Sequence, residues 1–116
     1  MHDAKLKLQL RILWDEEIAI GPGKAQLLEA IQRTGSISQA AKSMNMSYRR
    51  AWQLVETMNH SFQQALVETQ KGGTHGGGAH VTNFGEAILS QYRQMEQNAR
   101  HVIEHDFQAI AQFLKQ

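Results

Sequence analysis

Ser36-Ile37-Ser38-Gln39-Ala40-Ala41-Lys42-Ser43-Met44-Asn45-Met46-Ser47-Tyr48-Arg49-Arg50-Ala51-Trp52-Gln53-Leu54-Val55 reads as two short helices joined by a tight turn. Ala41 supplies the small residue needed where two helix axes cross closely. Four residues later Asn45 occupies a turn position that calls for positive φ, which Asn tolerates better than any residue but Gly. Ala40, Met44, Met46, Ala51 and Leu54 fall at inward positions, while Gln39, Lys42, Ser43, Arg49, Arg50 and Gln53 point elsewhere. The pattern is that of a helix-turn-helix, whose second helix enters the major groove of DNA. Ser36 is the expected N-cap of the first helix, with Gln39 completing a capping box, and Ser47 the expected N-cap of the second.

Upstream, Leu6, Leu8, Leu10 and Ile12 alternate with Lys5, Lys7, Gln9 and Arg11, which predicts a half-buried strand ended by Asp15-Glu16-Glu17. Gly21-Pro22-Gly23 marks a turn, and Leu27, Leu28 and Ile31 form a helical stripe over residues 24–33 that Gly35 closes. Downstream, Leu66–Gln70 and Val81-Thr82 are β-prone and flank a segment, 71–80, that holds five of the nine glycines. Three helices followed by such a hairpin make a winged helix-turn-helix. From Asn83 to Lys115 only Gly85, in the first turn, interrupts the helical character of the chain. Ile88, Tyr92, Met95, Ala99 and Val102 form one apolar stripe and Ile103, Phe107, Ile110 and Leu114 another, at spacings of three and four. A helix of that length exceeds what a small winged domain covers, so pairing with a second copy is expected. The expected fold is mainly α with a small β-hairpin, a winged helix-turn-helix over residues 1–82 and a long dimerisation helix over residues 83–116.

Composition narrows the function. The apolar share of 41% fits a globular chain, and the absence of cysteine excludes disulfides, thiolate catalysis and Cys-ligated zinc. No apolar run approaches the length of a membrane span and the N-terminus does not read as a signal peptide, so a cytoplasmic protein is expected. The formal net charge is +1. It is unevenly spread: residues 24–75 hold six Lys/Arg against three Glu, a balance of +3, and residues 84–116 hold three against four acids, −1. The middle of the chain is therefore the part suited to phosphates.

With these residues laid out, the chain resembles the N-terminal DNA-binding domain of the ModE-type molybdate-responsive transcription regulators, a winged-helix group related in architecture to LysR-type regulators. The resemblance rests on Thr34–Lys42, Met46-Ser47-Tyr48, Ala51-Trp52, Glu56–Asn59, the glycine-rich 71–78 and Thr82–Gly85. It implies a link to molybdenum-related genes, while a dimer joined by the long helix would set two heads about 34 Å apart and so imply an inverted-repeat operator. Members of the group carry C-terminal molybdate-binding modules that would begin where residue 116 falls. The expectation is thus a stand-alone relative or a truncated form that does not bind molybdate directly.

On this reading Ser36, Ser38, Gln39, Lys42, Ser47, Tyr48, Arg49, Arg50, Gln53, Lys71, Thr74 and His75 contact DNA. Lys42 and Lys71 would hold phosphates, and Arg49, Arg50 and Gln53 offer the donors that pair with guanine and adenine edges. Arg49 and Arg50 point about 100° apart, so one is expected to read a base and the other a phosphate. Residues 88, 92, 95, 99, 102, 103, 107 and 110 are the expected dimer contacts.

Other chemistry is poorly supported. The glycine-rich stretch lacks the Gly-Lys-Ser/Thr ending of a phosphate loop. His75 with His80, and His101 with His105, lack a convincing third metal ligand. The capping serines are committed, and Trp52 is expected in the core. No catalytic residue, metal or cofactor is expected, and the chain is not read as an enzyme. The alternatives are a winged-helix protein-interaction module without DNA binding and a small metal- or anion-binding protein.

Overall fold

The computed structural model describes residues 3–70 and 78–115. Two strands, β1 (Ile12–Trp14) and β2 (Glu17–Ile20), precede three helices, α1 (Pro22–Thr34), α2 (Ile37–Ser43) and α3 (Tyr48–Ser61). The wing strands β3 (Val67–Gln70) and β4 (Gly78–Val81) and the long helix α4 (Asn83–Ala111) complete the chain. No described helix is long and apolar enough to cross a membrane. The fold is the expected one, a winged helix-turn-helix with a long C-terminal helix.

The helix caps and stops act as read, but the capping box is only half made: the Ser36 N–H donates to the Thr34 hydroxyl at 3.3 Å rather than to the Gln39 side chain. Pro22 opens α1, and Gly35 closes it in the left-handed region at φ 69° with its N–H on the Ile31 carbonyl. The Ser36 hydroxyl accepts from the Gln39 N–H at 3.1 Å. The Thr82 hydroxyl caps α4, accepting from the Gly85 N–H at 2.9 Å.

The N-terminal reading needs correction. Residues 6–11 form no ladder; the first strand is β1, and Asp15 at φ 57° turns the chain into β2. The alternation instead records an extended strap laid on α4. Leu6, Leu8 and Leu10 are half-buried. The Tyr92 hydroxyl donates to the Leu10 carbonyl at 2.7 Å and Arg100 donates to the Leu6 carbonyl at 3.1 Å. One face of a strand against a helix gives the same period of two as one face of a sheet.

The core lies among α1, α2, α3, the wing and the first half of α4. Ile20, Leu27, Leu28, Ile31, Val55, Met58 and Leu66 are its largest fully buried side chains. Each such burial contributes roughly 1.5–3 kcal/mol. Arg93 ties α4 to α1 through Glu29 at 2.7 Å and to Glu96 at 2.6 Å. The second half of α4 projects beyond this body, giving overall dimensions of 58 × 32 × 24 Å.

Two residues set how the wing and α4 meet. The Asn59 carboxamide accepts from the Leu66 and Val67 N–H groups at 2.8 and 3.2 Å and donates to the Val67 carbonyl at 3.0 Å, fixing β3 to the end of α3. Gly85 lets α4 pass so close to β3 that a Cβ there would stand 2.3 Å from the Leu66 carbonyl oxygen. The sequence pattern registers Gly85 only as an interruption of the helix; its cause is this approach.

Gly85→Ala should lower stability by about 1–3 kcal/mol or more, because the atom blocking it is backbone. Thermal unfolding followed by circular dichroism checks this, and an unchanged midpoint would refute the close approach. Asn59→Asp removes the donor to Val67 and sets a carboxylate against its carbonyl, for an expected loss of about 1–3 kcal/mol in urea unfolding.

Candidate nucleic-acid interface

The orientation of α3 follows from the turn before it. Asn45 takes φ 55°, and the Met46 N–H returns to the Ala41 carbonyl at 3.0 Å. Ala40, Ala41 and Ala51 are 0–2% exposed, so α2 and α3 approach without intervening side-chain bulk. Ala51, Val55 and Met58 turn the back of α3 into the core, with Met46, Trp52 and Leu54 partly buried around them. Trp52 is therefore a core-edge residue, as expected.

At 100° per residue, the face opposite that core carries Arg49, Gln53 and Glu56, all exposed. Tyr48, 56% exposed, stands at the first helical position. The Ser47 hydroxyl accepts from the Arg50 N–H at 3.0 Å, leaving the other first-turn amides facing outward. Arg50 lies to one side. It lines a cleft between α3 and the N-terminal hairpin with Arg11, Glu17, Lys24, Leu54 and Thr57. The two arginines thus separate: Arg49 projects forward with Gln53, and Arg50 flanks.

The remaining expected contacts divide. Ser38, Gln39 and Lys42 are exposed on α2, and Ser36 is half-buried with its hydroxyl capping α2. Lys71, Thr74 and His75 lie outside the described residues. On the wing, His80 and Glu68 face each other across the strands at 3.7 Å. Sequence reasoning missed Arg11 and Lys24 as neighbours of Arg50. The only signal was the position of Arg11 on the polar side of the alternating segment.

Lys24 is an unusual member of this group. It is 7% exposed, and its ammonium donates to the Ile18 carbonyl. Burial pushes its pKa below 10.5; Glu17 opposes the shift and Arg50 adds to it. Among the expected dimer contacts, Tyr92 is 2% exposed inside the chain's own core, and Ile88 and Met95 pack against that core. Burial, with Glu96 beside it, raises the Tyr92 phenol. Beyond them Ala99, Ile103 and Phe107 are half-buried, whereas Val102 and Ile110 are exposed.

A family model described as the bacterial regulatory helix-turn-helix protein, lysR family, matches residues 23–86. The chain belongs to this family. It is 45% identical over 87 residues to the transcriptional regulator ModE of Yersinia pestis, covering 75% of this chain and 31% of that protein. It is 38% identical over 104 residues to the DNA-binding transcriptional dual regulator ModE of Escherichia coli K12, covering 87% and 37%. The molybdenum transport protein ModE of Azotobacter vinelandii is 42% identical over 82 residues, covering 71% and 30%. The chain spans about a third of the length of these curated relatives. In fold it is similar to the CbnR DNA-binding domain from its crystal structure with DNA, with a TM-score of 0.58, 19% identity, and coverage of 76% of this chain and 95% of that one. The lysR-family match contains the whole of α2 and α3; the β1–β2 hairpin and most of α4 lie outside it.

Because burial favours the neutral amine, the folded chain holds the Lys24 proton less tightly than the unfolded chain does. Stability should therefore rise with pH between the lowered native pKa and 10.5. Urea unfolding across that alkaline window checks the sign, and Lys24→Met should flatten the slope.

Proposed function

We propose that this chain is the DNA-binding part of a ModE-type, molybdenum-linked transcription regulator, acting in the cytoplasm as a homodimer and without enzymatic activity. One observation carries the reading: the amino-terminal edge of α3 is capped, exposed and cationic while its back is buried. The ModE relatives and the lysR-family match support the same assignment.

Arg49 and Gln53 are the base readers in this account, since they share the forward face of α3. Arg pairs with guanine O6 and N7, and Gln with adenine N6 and N7. Arg50, set back beside Arg11, holds a phosphate. Ser38, Gln39 and Lys42 position α2 on the backbone, and the amides behind Ser47 add donors for a phosphate oxygen. Glu56, on the same face as Arg49 but further along, repels phosphates and confines contact to the first half of α3. Free apolar surface on the second half of α4 supports the dimer. Two heads spaced about 34 Å apart fit an inverted repeat.

Operators obtained by in vitro selection, followed by fluorescence anisotropy, test the assignment. Arg49→Ala should cost about 1–3 kcal/mol on the selected site and relax the preference at one base pair. Arg50→Ala should weaken selected and random duplexes alike and lower the salt slope by about one. Unchanged affinity in both variants would remove α3 from the interface.

A further inference from the structure

We propose that the cleft between the β1–β2 hairpin and the start of α1 is a second phosphate seat. It holds a DNA backbone phosphate on the side of α3 away from the wing, through Arg11, Lys24 and the first-turn amides of α1. The inference rests on the DNA-binding reading above and adds to it a flank and binding groups that lie outside α2 and α3.

The flank follows from the helical period. Arg50 and Asn59 are nine residues apart on α3, a rotation of about 180°. Asn59 is hydrogen-bonded to the backbone of Leu66 and Val67, so the wing begins on its side. Arg50 therefore faces away from the wing, into a cleft of about 530 Å³ shared with the hairpin and the start of α1. The major groove is about 12 Å wide, so a helix seated in it has a backbone strand on either side. The wing meets one strand and the cleft meets the other.

Three cations line the cleft without a carboxylate of their own. Among the described residues the ion pairs are His80–Glu68, Arg93–Glu29 and Arg93–Glu96, and none uses Arg11, Lys24 or Arg50. Arg11 is exposed and donates to the Gln9 side-chain oxygen at 3.4 Å. Its Cγ passes 3.1 Å from where a Cβ on Gly21 would stand, which lays its stem over the entry to α1. Lys24 is 7% exposed, with the neutral Ile18 carbonyl as its acceptor. An ammonium has three donors, so two remain for an incoming oxyanion.

The end of α1 opens in the same direction. Gly21 supplies no side-chain cap, Pro22 has no N–H, and the first turn holds no acid. The Ala25 N–H goes to the Gly21 carbonyl at 2.9 Å, which leaves the Gly23 and Lys24 amides without a partner among the described residues. A Cβ on Gly23 would meet nothing within 4 Å. These amides add donors and partial positive charge to the three side chains.

Glu16 and Glu17 also line the cleft, but at its other end. Glu17 pairs with Trp14 at the hairpin tip, which lies beside His60 and Ser61 at the far end of α3. Arg11 precedes Ile12, whose partner Ile20 stands at the hairpin base, and Arg50 is in the first turn of α3. The cationic end is thus level with the amino-terminal edge of α3, where the duplex lies. The acids keep the backbone from running further along the cleft, as Glu56 does on the forward face.

Fluorescence anisotropy of the 116-residue chain with selected and random duplexes tests the seat. Arg11→Gln, at an exposed position, should keep the far-ultraviolet circular dichroism and weaken both duplexes about three- to tenfold, with a salt slope lower by about one. Glu17→Gln, also exposed, should tighten both about two- to threefold, a gain that loss of structure could not give. A neutral methylphosphonate is then placed in turn at each backbone position of the selected duplex. One position on the strand away from the wing should weaken the wild-type chain and leave Arg11→Gln unaffected. Binding indifferent to both substitutions, or a scan in which both proteins lose alike at every position, overturns the seat. Weakening by Arg49→Ala in that case leaves the α3 reading standing. Millimolar inorganic phosphate that raises the thermal midpoint of the wild type but not of Arg11→Gln, with duplex binding indifferent to both substitutions, assigns the cleft to a free oxyanion and overturns the backbone contact. No binding to random duplex at low salt overturns both the seat and the DNA reading.

Discussion

The close crossing of α2 and α3 is the constraint on which the interface depends. Ala41 and Ala51 are buried where the helices meet, and Asn45 accepts the left-handed conformation that lets the chain reverse in so short a turn. A larger residue at either alanine would push the axes apart and rotate α3. With the crossing fixed, Val55 and Met58 hold the back of α3 in the core, and Arg49 and Gln53 have only the forward direction left. The charge that meets a nucleic acid is thus set by packing several residues away from it.

The wing and α4 are held to this frame by polar contacts as much as by apolar ones. Asn59 holds three backbone groups of Leu66 and Val67 at the start of β3, Thr82 caps α4, and Gly85 removes the side chain that would block their meeting. The Arg93 guanidinium, its proton held more firmly by the Glu29 carboxylate, joins α1 to α4. α4 is thereby tied to the helix that leads into the reading motif. Its first half is part of the core, and its second half extends free.

Much of this was legible in the residues themselves. The caps at Ser36, Ser47 and Thr82, the stop at Gly35 and the turn at Asn45 are local effects, fixed by side chains within three or four positions. What depended on distant partners was not. The alternation of Leu6, Leu8 and Leu10 looks the same whether the segment pairs with a strand or lies on α4. The stripe on α4 continues without a break from Tyr92, buried in its own chain, to Ile110, exposed, so periodicity alone could not divide core from free surface. The different placements of Arg49 and Arg50 were likewise not legible, because the hairpin that flanks Arg50 is distant in sequence. Lys71, Thr74 and His75 lie outside the described residues, and their part in the site rests on sequence alone.

The central claim is that the amino-terminal edge of α3 enters a duplex groove. An NMR titration of the isotopically labelled chain with a short duplex tests it most directly. The account predicts amide shifts concentrated over Ser47–Gln53 and the start of α2, with residues 99–111 of α4 little changed. Shifts confined to α4 or the hairpin, with the α3 edge silent, would contradict it.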